Sequence, residues 1–306
     1  MATEPISAVL RSVPIAPRNK VAKAYAVAAD YWALTKPEVN FLVLGATFVG
    51  FRLASDATST LVLIGTLVGT LLVASGAATL NQFIERSFDV QMRRTLRRPL
   101  AAGRLRPSYA LWFGISLSVA GTFCLAAINA LAALLAAVTL LSYLFLYTPL
   151  KRKTPLCTLL GALAGAAPPL IGWAAARGRL DPEAWVLYLI VFLWQFPHFM
   201  SIAWMYRQDY ARAGYQVLPG LLSRDRFVIG QSFGFALALV PVALIPAIAG
   251  ESGRVYALGA AVLSLVFLYS SARFAFHRSN VMAKRLLLVS ILYLPLLLSL
   301  LLLGRK

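Results

Sequence analysis

Nine long apolar segments constrain the fold of this chain more than any other feature of its sequence. A helix that spans a bilayer needs roughly 20 mostly apolar residues, and hydrophobic residues make up 60% of the 306 residues while charged residues make up 13%. The sequence therefore predicts an all-α, polytopic membrane protein with nine transmembrane helices, and it excludes a water-soluble enzyme. The segments lie near residues 40–55, 60–83, 108–128, 130–148, 156–176, 183–205, 228–249, 255–273 and 285–303.

The basic residues predict how these helices are oriented. Of the 29 Lys and Arg residues, 23 lie in the N-terminal segment and in the second, fourth, sixth and eighth connections, and only six lie elsewhere. By the positive-inside rule, the N-terminus is cytoplasmic and the C-terminus is outside. We expect residues 1–39 to form a cytoplasmic or interfacial segment and residues 40–306 to form the transmembrane domain. The net charge of +18 is expected to serve topology and anionic ligands, with no nucleic acid as a partner.

The first 40 residues also indicate the kind of membrane. They contain no apolar core followed by a small-residue cleavage site, as a signal peptide would, and they match an acid-poor transit peptide badly. This favours a bacterial inner membrane over a mitochondrial one.

The end of the second segment carries the strongest chemical pattern. Asn81, Glu85 and Asp89 recur every four residues and therefore share one helix face. Three such oxygen ligands suit Mg2+, which also takes oxygens from a substrate phosphate. A cluster of arginines suited to phosphate follows the carboxylates: Arg86, Arg93, Arg94, Arg97 and Arg98. The alternative is a solvated helix end with salt bridges and topogenic arginines, but ionisable groups at this depth are costly without a function.

Two further connections on the same predicted face carry candidate groups. Lys151 and Arg152 follow the fourth segment, where they either bind phosphate or serve only as cytoplasmic charge. Asp209 follows the sixth segment and is a second candidate metal ligand, with Arg207 beside it as a candidate phosphate ligand.

His198 lies in an apolar stretch of the sixth segment, directly after a proline. An intramembrane histidine is a functional hypothesis by default, and a hydrogen-bonded structural histidine is the alternative. Gln195 and Trp194 lie within one turn of it, and Tyr147 ends the fourth segment. These aromatic side chains either line a substrate path or simply pack.

Three motifs together resemble the UbiA-type intramembrane prenyltransferases, and within them the branch that farnesylates haem. The first motif joins Asn81, Glu85 and Asp89 to Arg94, Thr95, Arg98 and Pro99; the second is Tyr147-Thr-x-Leu-Lys151-Arg152; the third is Trp194-Gln-x-Pro-His198-Phe199. The resemblance runs from about Lys36 to the last helix. It implies a helical bundle around a lateral cavity, with Mg2+ and an isoprenyl diphosphate bound on the cytoplasmic side.

The reaction that the resemblance implies is transfer of the farnesyl group of farnesyl diphosphate to a vinyl group of haem b. It assigns Mg2+ to Asn81, Glu85, Asp89 and Asp209, which with Lys151 form the catalytic set. The acceptor would be bound by His198, Gln195, Trp194 and Tyr147, with His198 as an iron ligand or a propionate contact. The diphosphate would be bound by Arg86, Arg93, Arg94, Arg97, Arg98, Lys151, Arg152 and Arg207. Partners that receive the product would be haem A synthase or a terminal oxidase assembly.

One departure from the family pattern leaves the number of metal ions open. The second family motif is Asp-x-x-x-Asp, and here Met205 stands four residues before Asp209. The alternative functions are prenyl transfer to a quinone precursor or chlorophyllide, a secondary transporter, and a purely structural membrane subunit. A transporter is disfavoured because the acids cluster at one face, and a structural subunit because it leaves the spaced carboxylates unexplained.

Overall fold

The computed structural model is a bundle of helices and describes residues 20–55, 59–216 and 225–305, with side chains described except at 225–229. Within these ranges the only β pairing is a single bridge between Ser252 and Arg305. Of the predicted N-terminal segment, residues 1–19 lie outside the described ranges. The helices are α1 (Lys20–Thr35), α2 (Pro37–Ala54), α3 (Thr60–Asp89), α4 (Pro107–Ala126), α5 (Ala130–Leu141), α6 (Cys157–Gly165), α7 (Pro168–Arg177), α8 (Pro182–Met205), α9 (Arg207–Arg212), α10 (Asp225–Ile248), α11 (Arg254–His277) and α12 (Asn280–Leu303).

All nine predicted segments are helical, and eight of them are long and apolar enough to cross a membrane by length and composition. Two of the eight are interrupted. A π-helical turn, Ser142–Tyr147, and a short turn, Thr148–Leu150, continue α5, and α6 and α7 together form one segment. The first predicted segment is α2, which carries Glu38 and Arg52 and packs inside the bundle. The predicted all-α membrane architecture is confirmed.

Large apolar side chains cover the outside of the bundle. Phe41, Leu61, Phe123 and Leu303 each expose more than two thirds of their surface, although a soluble protein rarely exposes continuous apolar surface of this extent. These side chains face the hydrocarbon of a bilayer, in which exposure of this kind carries no hydrophobic penalty. The chain is an integral membrane protein.

Glycines bring the helices into close contact around the site. A Cβ atom on Gly121 of α4 would lie 2.6 Å from the carbonyl oxygen of Gly69 on α3. On α6, a Cβ atom on Gly161 would lie 2.7 Å from the ring of Tyr147. Since membrane helices associate mainly through such packing, these contacts fix α3 and the end of α5 relative to their neighbours.

Four connections meet at one end of the bundle. The Lys36 side chain, at the junction of α1 and α2, reaches Asn81 near the end of α3. Lys151, after the π turn, reaches Glu85, and the backbone after α3 reaches Asp209 on α9. The residues that the sequence places on one face of the membrane are therefore neighbours in the fold.

Candidate active site

The last turns of α3 carry three buried polar side chains in a row. Asn81, Glu85 and Asp89 are 1%, 6% and 1% exposed. Their four-residue spacing points them to one side of a helix whose earlier turns are apolar. This side faces the interior of the bundle and lines a cavity of about 240 Å³.

Each buried carboxylate is paired with a cation. Lys151 Nζ lies 2.9 Å from Glu85 Oε1, and the Arg98 guanidinium donates to both oxygens of Asp89 at 2.9 Å. The predicted metal ligand Asp209, on α9, does not line this cavity; it accepts a hydrogen bond from the backbone N–H of Arg94 and is paired with Arg212. Buried charges need such partners, so the pairs offset the cost of burying the carboxylates.

The segment after α3 folds back and places Arg98 at the cavity, next to Asp89. The hydroxyl of Thr95 donates to the backbone carbonyl of Asp89 at 2.8 Å, which caps the helix end. Arg104 pairs with Asp30 of α1 at 2.8 Å and ties the segment to the surface helix. Arg94 lies over the rings of Tyr206 and Tyr210, at 5.0 and 5.5 Å from their centres. These contacts place two guanidinium groups at the cavity.

The π turn supplies the opposite wall. Tyr143 and Tyr147 both line the cavity, with ring centres 5.2 Å apart. The hydroxyl of Thr148 donates to the Tyr143 carbonyl and accepts a hydrogen bond from the Asn81 amide at 3.1 Å. Lys151 Nζ lies 4.3 Å from the centre of the Tyr147 ring, so the same ammonium group contacts an aromatic face and a carboxylate.

Lys36 completes the charged lining. Its Nζ donates to Asn81 Oδ1 at 3.4 Å. Burial, with the neighbouring Arg98 and Lys151, lowers the pKa of Lys36 to about 7. Burial alone would also lower the pKa of Lys151, but the Glu85 carboxylate raises that pKa well above its usual value. Four cationic side chains face two carboxylates at this cavity, so the site is suited to an anion.

A second cavity of about 420 Å³ adjoins the first, and Glu85 and Tyr215 line both. Arg152 belongs to this second cavity, where its guanidinium lies 4.1 Å from the centre of the Phe88 ring. The predicted phosphate ligands on this side of the bundle therefore divide between two adjoining spaces.

The structure does not bring every predicted phosphate ligand to these cavities. Arg86 is exposed and donates to the carbonyl of Phe83. Arg207 donates to the Trp204 carbonyl and to Asn280. Arg93 and Arg97 line neither cavity. Consecutive helical residues point about 100° apart, so Arg86 cannot share the face of Glu85.

The predicted acceptor residues on α8 form a separate cluster. Trp194 donates to the Ser290 carbonyl of α12 at 2.8 Å, and Gln195 donates to backbone carbonyls of α6 and α8. His198 stacks on Trp194 with ring centres 4.9 Å apart. Of the four predicted acceptor residues, only Tyr147 lines the carboxylate cavity.

Sequence reasoning missed four polar residues that line the first cavity: Lys36, Thr158, Tyr210 and Tyr215. Lys36 carried a usable signal, since it is a basic residue directly before the first apolar segment. Tyr215 carried none, because its position depends on how the chain after α9 folds back to Lys151.

The donor set fits Mg2+, although it does not form a complete metal site. Among the described residues, no three His, Cys, Asp or Glu side chains lie close enough together to bind a metal ion by themselves. Mg2+ is usually bound by one or two carboxylates plus substrate phosphates. Buried oxygens of Asn81, Glu85 and Asp89 at a cavity lined by cations meet that requirement, whereas Asp209 lines neither cavity.

Comparisons with known proteins agree with this chemistry. The chain is 50% identical over 287 residues to the protoheme IX farnesyltransferase of Solibacter usitatus, covering 90% of this chain and 98% of the relative. A digeranylgeranylglyceryl phosphate synthase structure matches with a TM-score of 0.75 at 15% identity, covering 90% of this chain and 98% of that one.

A UbiA homologue from Archaeoglobus fulgidus, bound to GPP and Mg2+, has the same fold, with a TM-score of 0.65 at 16% identity over 89% of this chain and 99% of that one. The profile of the UbiA prenyltransferase family matches residues 43–300. Since this match spans most of the chain, including all three candidate motifs, the protein belongs to the UbiA prenyltransferase family.

Proposed function

We propose that this chain transfers the farnesyl group of farnesyl diphosphate to a vinyl group of haem b, which gives haem O and diphosphate. The name of the Solibacter usitatus relative supports this reaction. The observation that carries it is the buried cavity in which Asn81, Glu85 and Asp89 face Arg94, Arg98 and Lys151. Carboxylates and fixed cations within one small space fit a metal-bound diphosphate better than any neutral ligand.

The cations stabilise the leaving group. When the C1–O bond of farnesyl diphosphate breaks, the electron pair stays on the diphosphate, and Arg94, Arg98 and Lys151 donate hydrogen bonds to the charge that develops there. Asn81, Glu85, Asp89 and Asp209 would hold Mg2+, which supplies Lewis-acid stabilisation of the same oxygens. Lys151 and Arg98 now pair with carboxylates, so ligand binding exchanges one set of ion pairs for another.

The allylic cation then reacts with the acceptor. The vinyl group of haem b forms the new carbon–carbon bond, and water adds to the resulting cation and loses a proton, which gives the hydroxyethylfarnesyl group. Tyr143 and Tyr147 line the cavity with their rings, and aromatic faces stabilise a nearby cation.

His198 is our candidate for holding the haem iron. Ser290 Oγ donates its one proton to the Leu287 carbonyl at 2.6 Å, so it accepts from His198 Nδ1 at 2.8 Å. A neutral imidazole protonated on Nδ1 carries its lone pair on Nε2, which is the form that ligates a metal. The hydrogen bond to Ser290 therefore favours an iron ligand over a propionate contact.

We place this reaction on the cytoplasmic side of a bacterial inner membrane, with the N-terminus inside and the C-terminus outside. The concentration of Lys and Arg at the site-bearing end supports this orientation. Residues 1–39 would lie at the surface and residues 40–306 would form the catalytic domain. Haem A synthase or a terminal oxidase assembly would receive haem O.

The test is incubation of purified, detergent-solubilised protein with ferrous haem b, farnesyl diphosphate and Mg2+, followed by mass spectrometry of the haem. We expect haem O in stoichiometric yield with released diphosphate, and no product when EDTA removes the metal. Asp89→Asn removes one charged oxygen with little change in shape and should lower the rate at least a hundredfold. Wild-type rates for this variant would contradict the metal assignment.

The same assay separates the alternatives. Prenylation of a quinone precursor or chlorophyllide in place of haem would keep the diphosphate site and replace the acceptor. If farnesyl diphosphate is bound but no acceptor is prenylated, the proposed reaction is wrong.

A further inference from the structure

Tyr215 is a buried side chain at the wall between the two cavities. It is 7% exposed and lines both spaces. The backbone N–H of the next residue, Gln216, donates to the Lys151 carbonyl at 2.7 Å. The ring packs edge-on against Tyr210 and Phe88. The ring is thus held in place from two sides, beside the candidate metal and diphosphate ligands.

The hydroxyl of Tyr215 has no hydrogen-bond partner among the described residues. A buried hydroxyl without a partner costs free energy, and buried tyrosines usually satisfy this group. Elsewhere in this chain they do so: Tyr256 donates to the Ala243 carbonyl at 2.6 Å, and Tyr293 pairs with Ser264 at 2.9 Å. Among the three buried tyrosines that the structure describes, Tyr215 alone lacks such a bond, and its side chain lines the cavity of the candidate metal and diphosphate ligands.

The chemistry of this hydroxyl is that of a donor. A tyrosine phenol keeps its proton at physiological pH. The neighbouring Glu85 carboxylate already accepts from Lys151. A neutral phenol in a cavity lined by four cationic side chains can add a directed hydrogen bond to an anion without adding charge.

We propose that the Tyr215 hydroxyl donates a hydrogen bond to an oxygen of the diphosphate. This inference rests on the proposed function, since it assumes that the cavity binds a diphosphate. It adds a ligand that none of the three sequence motifs contains. As negative charge grows on the leaving group, this hydrogen bond strengthens, so Tyr215 would contribute to catalysis as well as to binding.

Thermal unfolding of the full-length protein in detergent, with and without Mg2+ and inorganic pyrophosphate, tests this role. Tyr215→Phe removes only an unpartnered hydroxyl, so the ligand-free protein should unfold at the wild-type temperature or above it. The stabilisation by Mg2+ and pyrophosphate should shrink, since it follows the affinity, and the Kd for pyrophosphate should rise about tenfold or more. Haem O formation should fall about ten- to a hundredfold in kcat/KM.

Tyr256→Phe is the matched control, because it removes a buried phenol hydroxyl that has a partner. It should lower the unfolding temperature of the ligand-free protein and leave the pyrophosphate Kd unchanged. The inference is wrong if Tyr215→Phe binds pyrophosphate like the wild type. It is also wrong if the variant fails to fold, because a hydroxyl without a ligand would then be needed for structure.

The Asp89→Asn variant distinguishes a failure of this inference from a failure of the proposed function. If the wild type binds Mg2+ and pyrophosphate and Asp89→Asn does not, the diphosphate site stands whatever Tyr215→Phe does. If the wild type itself shows no stabilisation, the proposed function fails first.

Discussion

In the proposed function, His198 is the single residue on which haem binding depends most. Its ring is fixed by two neighbours, Trp194 through stacking and Ser290 through a hydrogen bond to Nδ1. Two such restraints leave the orientation of Nε2 little freedom, as in proteins whose histidine ligands are held by an outer hydrogen bond.

We therefore expect His198→Ala to abolish the shift of the haem absorption spectrum on binding, while the affinity for pyrophosphate with Mg2+ stays within about twofold of wild type. Free imidazole should restore the spectrum of this variant, since it can replace an iron ligand. Ser290→Ala should weaken haem binding by about ten- to a hundredfold, the usual cost of losing an outer partner. A haem spectrum unchanged in His198→Ala would exclude iron ligation.

Some residues of the candidate site were predictable from the sequence and others were not. Asn81, Glu85 and Asp89 were predictable, because four-residue spacing on an apolar helix fixes their common face before any tertiary structure is known. Lys36 was not assigned, although it contacts Asn81, which lies 45 residues away. Contacts between distant segments depend on how helices pack, and no local period encodes them.

Among the helical elements, the π turn at Ser142–Tyr147 shapes the site. The apolar periodicity of the sequence does not predict this turn. Pro149 lacks an N–H and its ring clashes with the carbonyl four residues earlier in a regular helix, and the wider turn at Ser142–Tyr147 removes that conflict. A π turn adds one residue to the helix and rotates the residues after it by about 100°. Because of this rotation, Thr148 faces the second cavity and Lys151 faces the first.

Pro149→Ala restores an N–H and removes the ring that conflicts with a regular helix, so the segment should return to α-helical register. Lys151 would then rotate by about 100° away from Glu85, and haem O formation should fall at least a hundredfold although the protein still inserts and elutes as a single species. Deleting Phe145, whose side chain is 67% exposed, from this variant removes the extra residue, returns Lys151 to its wild-type angular position and should restore activity. Wild-type activity of Pro149→Ala alone would show that the π turn does not position Lys151.

Across the whole molecule, one set of basic residues bears on two properties: the predicted orientation in the membrane and the charge of the cavity. The chain carries +18 net charges and places most of its Lys and Arg at the end of the bundle that holds the site. The excess from which the positive-inside rule predicts the orientation of the helices also supplies Lys36, Arg94, Arg98 and Lys151 to the cavity. The alternation of basic and non-basic connections was predictable from the sequence, and so was the meeting of the last turns of α3 with Lys151 at one end of the bundle.

Cysteine labelling tests this arrangement in a bacterial host. Lys153 is exposed at the site end and Arg179 at the opposite end, and the native Cys124 and Cys157 are half-buried and buried. A membrane-impermeant maleimide should label Arg179→Cys in intact cells, whereas Lys153→Cys should react only after the membrane is permeabilised. Both variants should react in detergent, which controls for accessibility. Labelling of Lys153→Cys in intact cells would place the carboxylates, arginines and haem chemistry outside, away from the cytoplasmic supply of farnesyl diphosphate, and the positive-inside argument would fail for this chain.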